Sequence, residues 1–84
     1  MQEKSTYDDN CLVAVCERQE IRPYMGAYYA RHIGPIFGVS AEAIRRMWQR
    51  GIPYMRFHVD CNGHRFMTWT DLVYAFNYKF RLDA

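Results

Sequence analysis

The sequence predicts an α+β fold in which a helical core carries a two-stranded β-hairpin and a C-terminal helix, with residues 1–84 forming one domain. Three observations predict it. Gly38 and Gly51 bracket a short basic segment that opens on Ser40 and is closed off by Pro53. After Pro53 the apolar period changes from helical spacing to alternation, and Asn62-Gly63 then marks a tight turn. Past that turn, Thr70-Asp71 leads into a further apolar run.

From the start of the chain, Met1 to Asn10 is polar and reads as a frayed, disordered tail. Asp8-Asp9-Asn10 can cap a helix over residues 11–18, but Leu12-Val13-Ala14-Val15 is β-prone, so helix and strand both stay open here. Arg22-Pro23 marks a boundary, and Pro23 suits the first turn of a helix running from Tyr24. Gly34-Pro35 interrupts that helix. It is expected to end near His32 and turn into a second segment bearing Ile36 and Phe37, or else to run on as one kinked helix.

Gly38 can take the positive φ that a turn between helices needs. Ser40 is placed as the N-cap of the next helix, Gly51 as its left-handed C-terminal residue, and Pro53 forbids continuation. On that helix Ala43, Ile44, Met47 and Trp48 form an apolar side, leaving Ala41, Glu42, Arg45, Arg46 and Gln49 outward. Trp48 is expected in the core. Tyr24, Tyr28 and Tyr29 are expected to pack with their phenol tips at the surface. Met55, Phe57 and Val59 then alternate with Arg56, His58 and Asp60. A two-residue turn at Asn62-Gly63 would set Asp60 opposite Arg65, Val59 opposite Phe66 and Phe57 opposite Thr68, with the return strand running from His64 to Trp69. Thr70-Asp71 offers an N-cap and acidic first turn for a helix carrying Leu72, Val73, Ala75 and Phe76. The segment Asn77 to Arg81 either prolongs this helix or forms an aromatic-basic tail. Helix, turn, exposed basic helix, hairpin and helix together make a winged helix-turn-helix.

Composition narrows the function. The chain is 50% hydrophobic and 17% aromatic, which is enough for a compact core of modest stability. Its formal charge of +2 permits a basic patch but not a general polyanion coat. No apolar run approaches the ~18–20 residues that span a bilayer, and no leader opens the chain, so a cytoplasmic protein is expected. Cys11, Cys16 and Cys61 are an odd number and read as reduced thiols, with Cys11 and Cys16 as small core residues.

The segments Gly38-Val39-Ser40, Ala43-Ile44-Arg45-Arg46-Met47, Gly51-Ile52-Pro53 and the hairpin followed by Thr70-Asp71-Leu72 carry a likeness to a known family. Over roughly Tyr24 to Phe76, the chain resembles the small winged-helix excisionases and Cox-like regulators of temperate phages and mobile elements. The resemblance implies a protein of the bacterial host cell that binds repeated sites on double-stranded DNA and bends it. Such a protein directs a phage integrase towards excision, and also represses transcription. Arg45 and Arg46 would reach base edges or phosphates, Gln49 and Glu42 would read bases, and Arg50 would grip the backbone. Ser40 and Ala41 open the same helix. Arg56, Asn62, Gly63, His64 and Arg65 would place the wing against the minor groove or backbone. Tyr78 and Phe80 offer contacts between protomers on DNA.

The same residues bear on other classes. On the same scaffold, the small size, the aromatic load and the poorly basic hairpin permit a protein-binding inhibitor of a host or defence complex, and a plain transcriptional repressor would differ from an excisionase only in where its sites lie. His58, Cys61 and His64 give only three local metal ligands where a structural zinc wants four, so no metal is expected. No nucleophile-elbow, P-loop or HExxH spacing occurs, so neither an enzyme nor a cofactor is expected.

Overall fold

A computed structural model describes residues 10–80; the expected N-terminal tail up to residue 9 and Arg81 lie outside the described residues. Helix α1 spans Asn10–Arg18. Leu12 and Cys16, one turn apart, are both fully buried, and this stripe decides helix over strand. Cys11 sits off the stripe and is exposed, so of the first two cysteines only Cys16 is a core residue; all three thiols are free.

No helix starts at Tyr24 or Pro23. Glu20 (φ +59°) and Tyr24 (φ +61°) take left-handed backbone, which a right-handed helix cannot include. The connection is closed instead by Tyr28. Its ring is fully buried, and its hydroxyl donates to the Arg22 carbonyl (2.6 Å) and accepts the Met25 N–H (3.1 Å). Its phenol tip therefore lies inside the protein rather than at the surface, whereas Tyr24 is exposed. The Tyr28 backbone pairs antiparallel with Met67 through two hydrogen bonds of 2.7 and 2.9 Å.

Helix α2 spans Ala30–Phe37 and contains Gly34-Pro35 within it. Pro35 has no N–H to offer the Arg31 carbonyl one turn back, and both residues lie on the exposed side of the helix. Gly34 is there for a different reason. A Cβ at this position would lie 2.7 Å from the Val39 carbonyl oxygen and 3.2 Å from the Ala41 nitrogen. Only glycine lets the following turn fold back this closely. Gly38 (φ +74°) then ends α2, with its N–H on the Pro35 carbonyl and the Val39 N–H on that of Gly34.

Helix α3 spans Ala41–Arg50, and the Ser40 Oγ accepts the Ala43 N–H (3.1 Å) as the N-cap. Gly51 (φ +73°) closes it with the same paired bonds, to the Trp48 and Met47 carbonyls. Ile44 and Trp48 are buried. Ala41 shares their side at i+3 and i+7 and packs against the core, so it does not face outward.

The hairpin pairs β1 (His58–Val59) with β2 (Arg65–Phe66), setting His58 opposite Phe66 and Val59 opposite Arg65. The pairing of Asp60 with Arg65, Val59 with Phe66 and Phe57 with Thr68 is displaced by one residue. The turn is a longer loop, in which the Gly63 N–H meets the Asp60 carbonyl (3.0 Å) and the Asp60 N–H meets that of His64 (2.9 Å). Gly63 at φ +83° supplies the left-handed residue that a turn of this kind needs before its return strand. Val59, now opposite Arg65 rather than Phe66, is 58% exposed.

Helix α4 spans Trp69–Phe80, so the Asn77 segment prolongs the helix as far as the described residues reach. Its N-cap is Thr68 rather than Thr70. The Thr68 Oγ1 accepts the Asp71 N–H (3.2 Å) and the Asp71 Oδ2 accepts the Thr68 N–H (3.3 Å), a reciprocal box with Asp71 in the first turn. Leu72, Ala75 and Phe76 join Leu12, Ile33, Phe37, Ile44 and Met67 in one buried cluster. Among the described residues, no helix is long and apolar enough to cross a membrane.

Candidate functional site

The outer side of α3 leaves Glu42, Arg45, Arg46, Gln49 and Arg50 exposed. Arg45 and Glu42 make an ion pair of 3.4 Å, and both side chains are more than half exposed, so solvent screens it. Arg50 stands immediately before Gly51, where the negative end of the helix dipole favours a cation. Ser40 is also exposed, with its oxygen engaged in capping.

The hairpin loop lies beside this helix. A cleft of about 630 Å³ separates them, lined by Arg45 and Trp48 of α3, by Tyr29, Ala30 and Arg31 at the start of α2, and by Asp60 and Asn62 to Arg65 of the hairpin. The structure thus brings Arg45, Asn62, Gly63, His64 and Arg65 around one concavity. It does not bring Arg56, whose guanidinium lies over the Tyr74 ring (4.4 Å) on α4. Ser40, Glu42, Arg46, Gln49 and Arg50 stay outside the cleft on the α3 surface.

Asp60 organises the loop. Its Oδ1 accepts the N–H groups of Asn62 and His64 (both 2.9 Å), and its Oδ2 accepts the Tyr29 hydroxyl (2.9 Å). The His64 N–H holds this carboxyl below its ordinary range, helped by the Tyr29 hydroxyl and the Asn62 N–H. The same bond to Asp60 pushes the Tyr29 phenol up, because ionised tyrosine could not donate it. At the start of α2, the His32 Nδ1 accepts the Tyr29 N–H (3.0 Å). Burial lowers the His32 pKa, and the neighbouring Arg31 lowers it further, so the neutral ring that can accept is favoured. Arg65 lies over Phe57 (5.3 Å) and Arg31 over Tyr29 (5.2 Å).

Arg31, Tyr29 and Asp60 are the residues that sequence reasoning missed. A helix drawn from Tyr24 would place Arg31 within it rather than at the start of α2, beside the cleft. The signal available was an Arg-His pair next to a run of tyrosines, which carries no unique meaning. His58, Cys61 and His64 do not converge as ligands. His58 is bonded through Nε2 to Asp71 Oδ2 (2.8 Å) at the start of α4, and among the described residues no group of three or more His, Cys, Asp or Glu is arranged to hold a metal ion. Comparison of the chain with protein-family models, with curated proteins and with solved structures gave no match.

Proposed function

We propose that this chain is a winged helix-turn-helix protein that binds double-stranded DNA, with α3 in the major groove and the hairpin loop as the wing. One observation carries the reading. Arg45, from the exposed basic side of α3, and Asn62 to Arg65 of the hairpin line opposite walls of the same cleft. Two features of the fold support it. The Gly38 turn docks α2 and α3 closely enough that Gly34 has no room for a side chain. The Tyr28–Met67 pairing also sets an extended residue before α2 beside the return strand of the hairpin, as winged helices do. Phosphate neutralisation would give affinity, and Arg45, Arg46 and Gln49 would give sequence preference. The finer reading, an excisionase or Cox-like repressor that bends DNA for an integrase, rests on the resemblance of the segments around Ser40, Arg45 and Pro53.

Fluorescence anisotropy tests the reading, using duplexes selected from a random pool, scrambled duplexes beside them, and a salt series. Site preference with a steep salt slope is the expected result. Equal weak binding to both would remove it. If Arg45 reads a base, Arg45→Ala costs about 1–3 kcal/mol and relaxes preference at one position, whereas Arg50→Ala weakens all sequences alike and flattens the salt slope.

A second reading has its own observation. Tyr54 stacks on Tyr78 (4.4 Å), Tyr78 neighbours Tyr74, and Arg56 covers Tyr74, which makes a tyrosine-arginine surface away from the cleft. Such residues are enriched in protein interfaces, and Tyr78 remains 51% exposed. A protein-binding inhibitor would use this face, and Tyr78→Ala would then abolish partner capture while leaving duplex binding unchanged.

A further inference from the structure

We propose that the cleft between the hairpin loop, the start of α2 and the Arg45–Trp48 turn of α3 is an anion site that seats one phosphate group. This goes beyond the placing of α3 and the wing on DNA, and does not require it. Three guanidinium-bearing residues line the cleft from three separate elements, Arg31 from α2, Arg45 from α3 and Arg65 from β2. One carboxylate, that of Asp60, lines it as well. Asp60 is already spent on the loop, with both oxygens accepting protein donors, so it offsets the arginines without presenting a bare anionic edge. The other nearby acid, Glu42, meets Arg45 only at 3.4 Å in an exposed pair that an entering phosphate can displace.

Backbone donors point the same way. Ala30 and Arg31 are the first two residues of α2, and helix geometry leaves their N–H groups without intrahelical acceptors. The second, independent observation is Trp48. It is 4% exposed and lines the cleft, and its indole N–H has no acceptor among the described residues. Buried donors are nearly always paired, and an unpaired one costs its full desolvation. The N–H has no exposed area of its own, so an anionic oxygen would meet it only where the inner wall yields to admit one. Arginine forks, free first-turn amides and an unused indole donor are all donors, and a phosphate group has three or four acceptor oxygens to match them.

The phosphate has two conceivable sources, a nucleic-acid backbone or a free phosphorylated molecule, and one experiment separates them. The full chain, labelled with ¹⁵N, is titrated with inorganic phosphate at constant ionic strength, with chloride as the control. Trp48 and Trp69 give distinct indole signals, and Trp69 does not line the cleft. The expected result is a saturable shift of the Trp48 indole and of the Ala30 and Arg31 amides, with Trp69 still. Arg31→Gln should weaken that binding about tenfold, the loss of one charge-assisted bond, while an unchanged Trp69 signal and unchanged core signals verify folding. A selected duplex is then added to the phosphate-loaded protein. Displacement of phosphate identifies a backbone phosphate as the occupant, and undisturbed phosphate identifies a free one; both support the site. The absence of a saturable Trp48 shift with phosphate overturns the proposal, even where α3 amides respond to the duplex and the DNA reading stands. Failure of the duplex to bind, with phosphate still bound, removes the DNA reading and leaves the site.

Discussion

The α2–α3 pair and the hairpin loop form the two walls of one cleft, but they are held by different means. On the helical side, backbone closes on backbone. Both helices end in paired glycine caps, and the turn approaches Gly34 so closely that a Cβ would overlap the Val39 carbonyl. Ile44 and Trp48 then anchor α3 in the core. The hairpin has two-residue strands, an exposed Val59 and a loop gathered around a single carboxylate. A wall with a buried core opens only with global unfolding, whereas a wall with few buried contacts opens locally. The difference teaches how one small domain can hold a basic helix rigidly and still present an adjustable hairpin loop.

The largest expected effect breaks the rigid wall. Gly34→Ala places a methyl against backbone that cannot yield without moving α3, and should cost about 1–3 kcal/mol of stability by urea denaturation. Gly26→Ala is the control, since nothing lies within 4 Å of a Cβ there and its φ is not left-handed. It should be neutral or slightly stabilising. Equal effects at the two positions would mean that the α2–α3 approach is not a constraint. A smaller effect is expected at Ser40→Ala, which removes the acceptor of the Ala43 N–H and should cost about 1 kcal/mol. A loss near zero would show that water replaces the cap at this exposed end.

This contrast also explains how much could be read from the chain. Gly38, Ser40 and Gly51 act on neighbours within a few residues, so the turn, the cap and both ends of α3 were legible as local chemistry. Gly34 was visible as a break but not as a point of close approach, because the atoms that crowd it come from residues 39–41. The hairpin was legible as an element and its register was not. Asn62-Gly63 favours a two-residue turn, but the Asp60 carboxylate gathers the Asn62 and His64 amides and so favours the longer loop. Tyr29, thirty-one residues before Asp60 in the chain, completes that arrangement, and no spacing rule links the two. Of the residues expected to face DNA, Arg45 and Asn62 to Arg65 share one cleft. Ala41 joins the core, and Arg56 is taken up by Tyr74.

The smallest expected effect sharpens the comparison most. Asp60→Ala removes one acceptor from the Asn62 and His64 amides and another from the Tyr29 hydroxyl. It should abolish hydrogen-exchange protection at those two amides and leave the protection of α3 unchanged. Acid should do the same in the unmodified chain. The folded carboxyl is held below its ordinary value by the His64 N–H first, so its contribution is fully present above the ordinary carboxylate pKa of about 3.9 and is lost as pH falls through the lower folded value. Amide exchange followed downward from pH 5 should therefore release the loop before the helices. Simultaneous loss across the loop and α3 would instead make hairpin and helices one cooperative unit, and the hairpin loop would then be as fixed as the helix beside it.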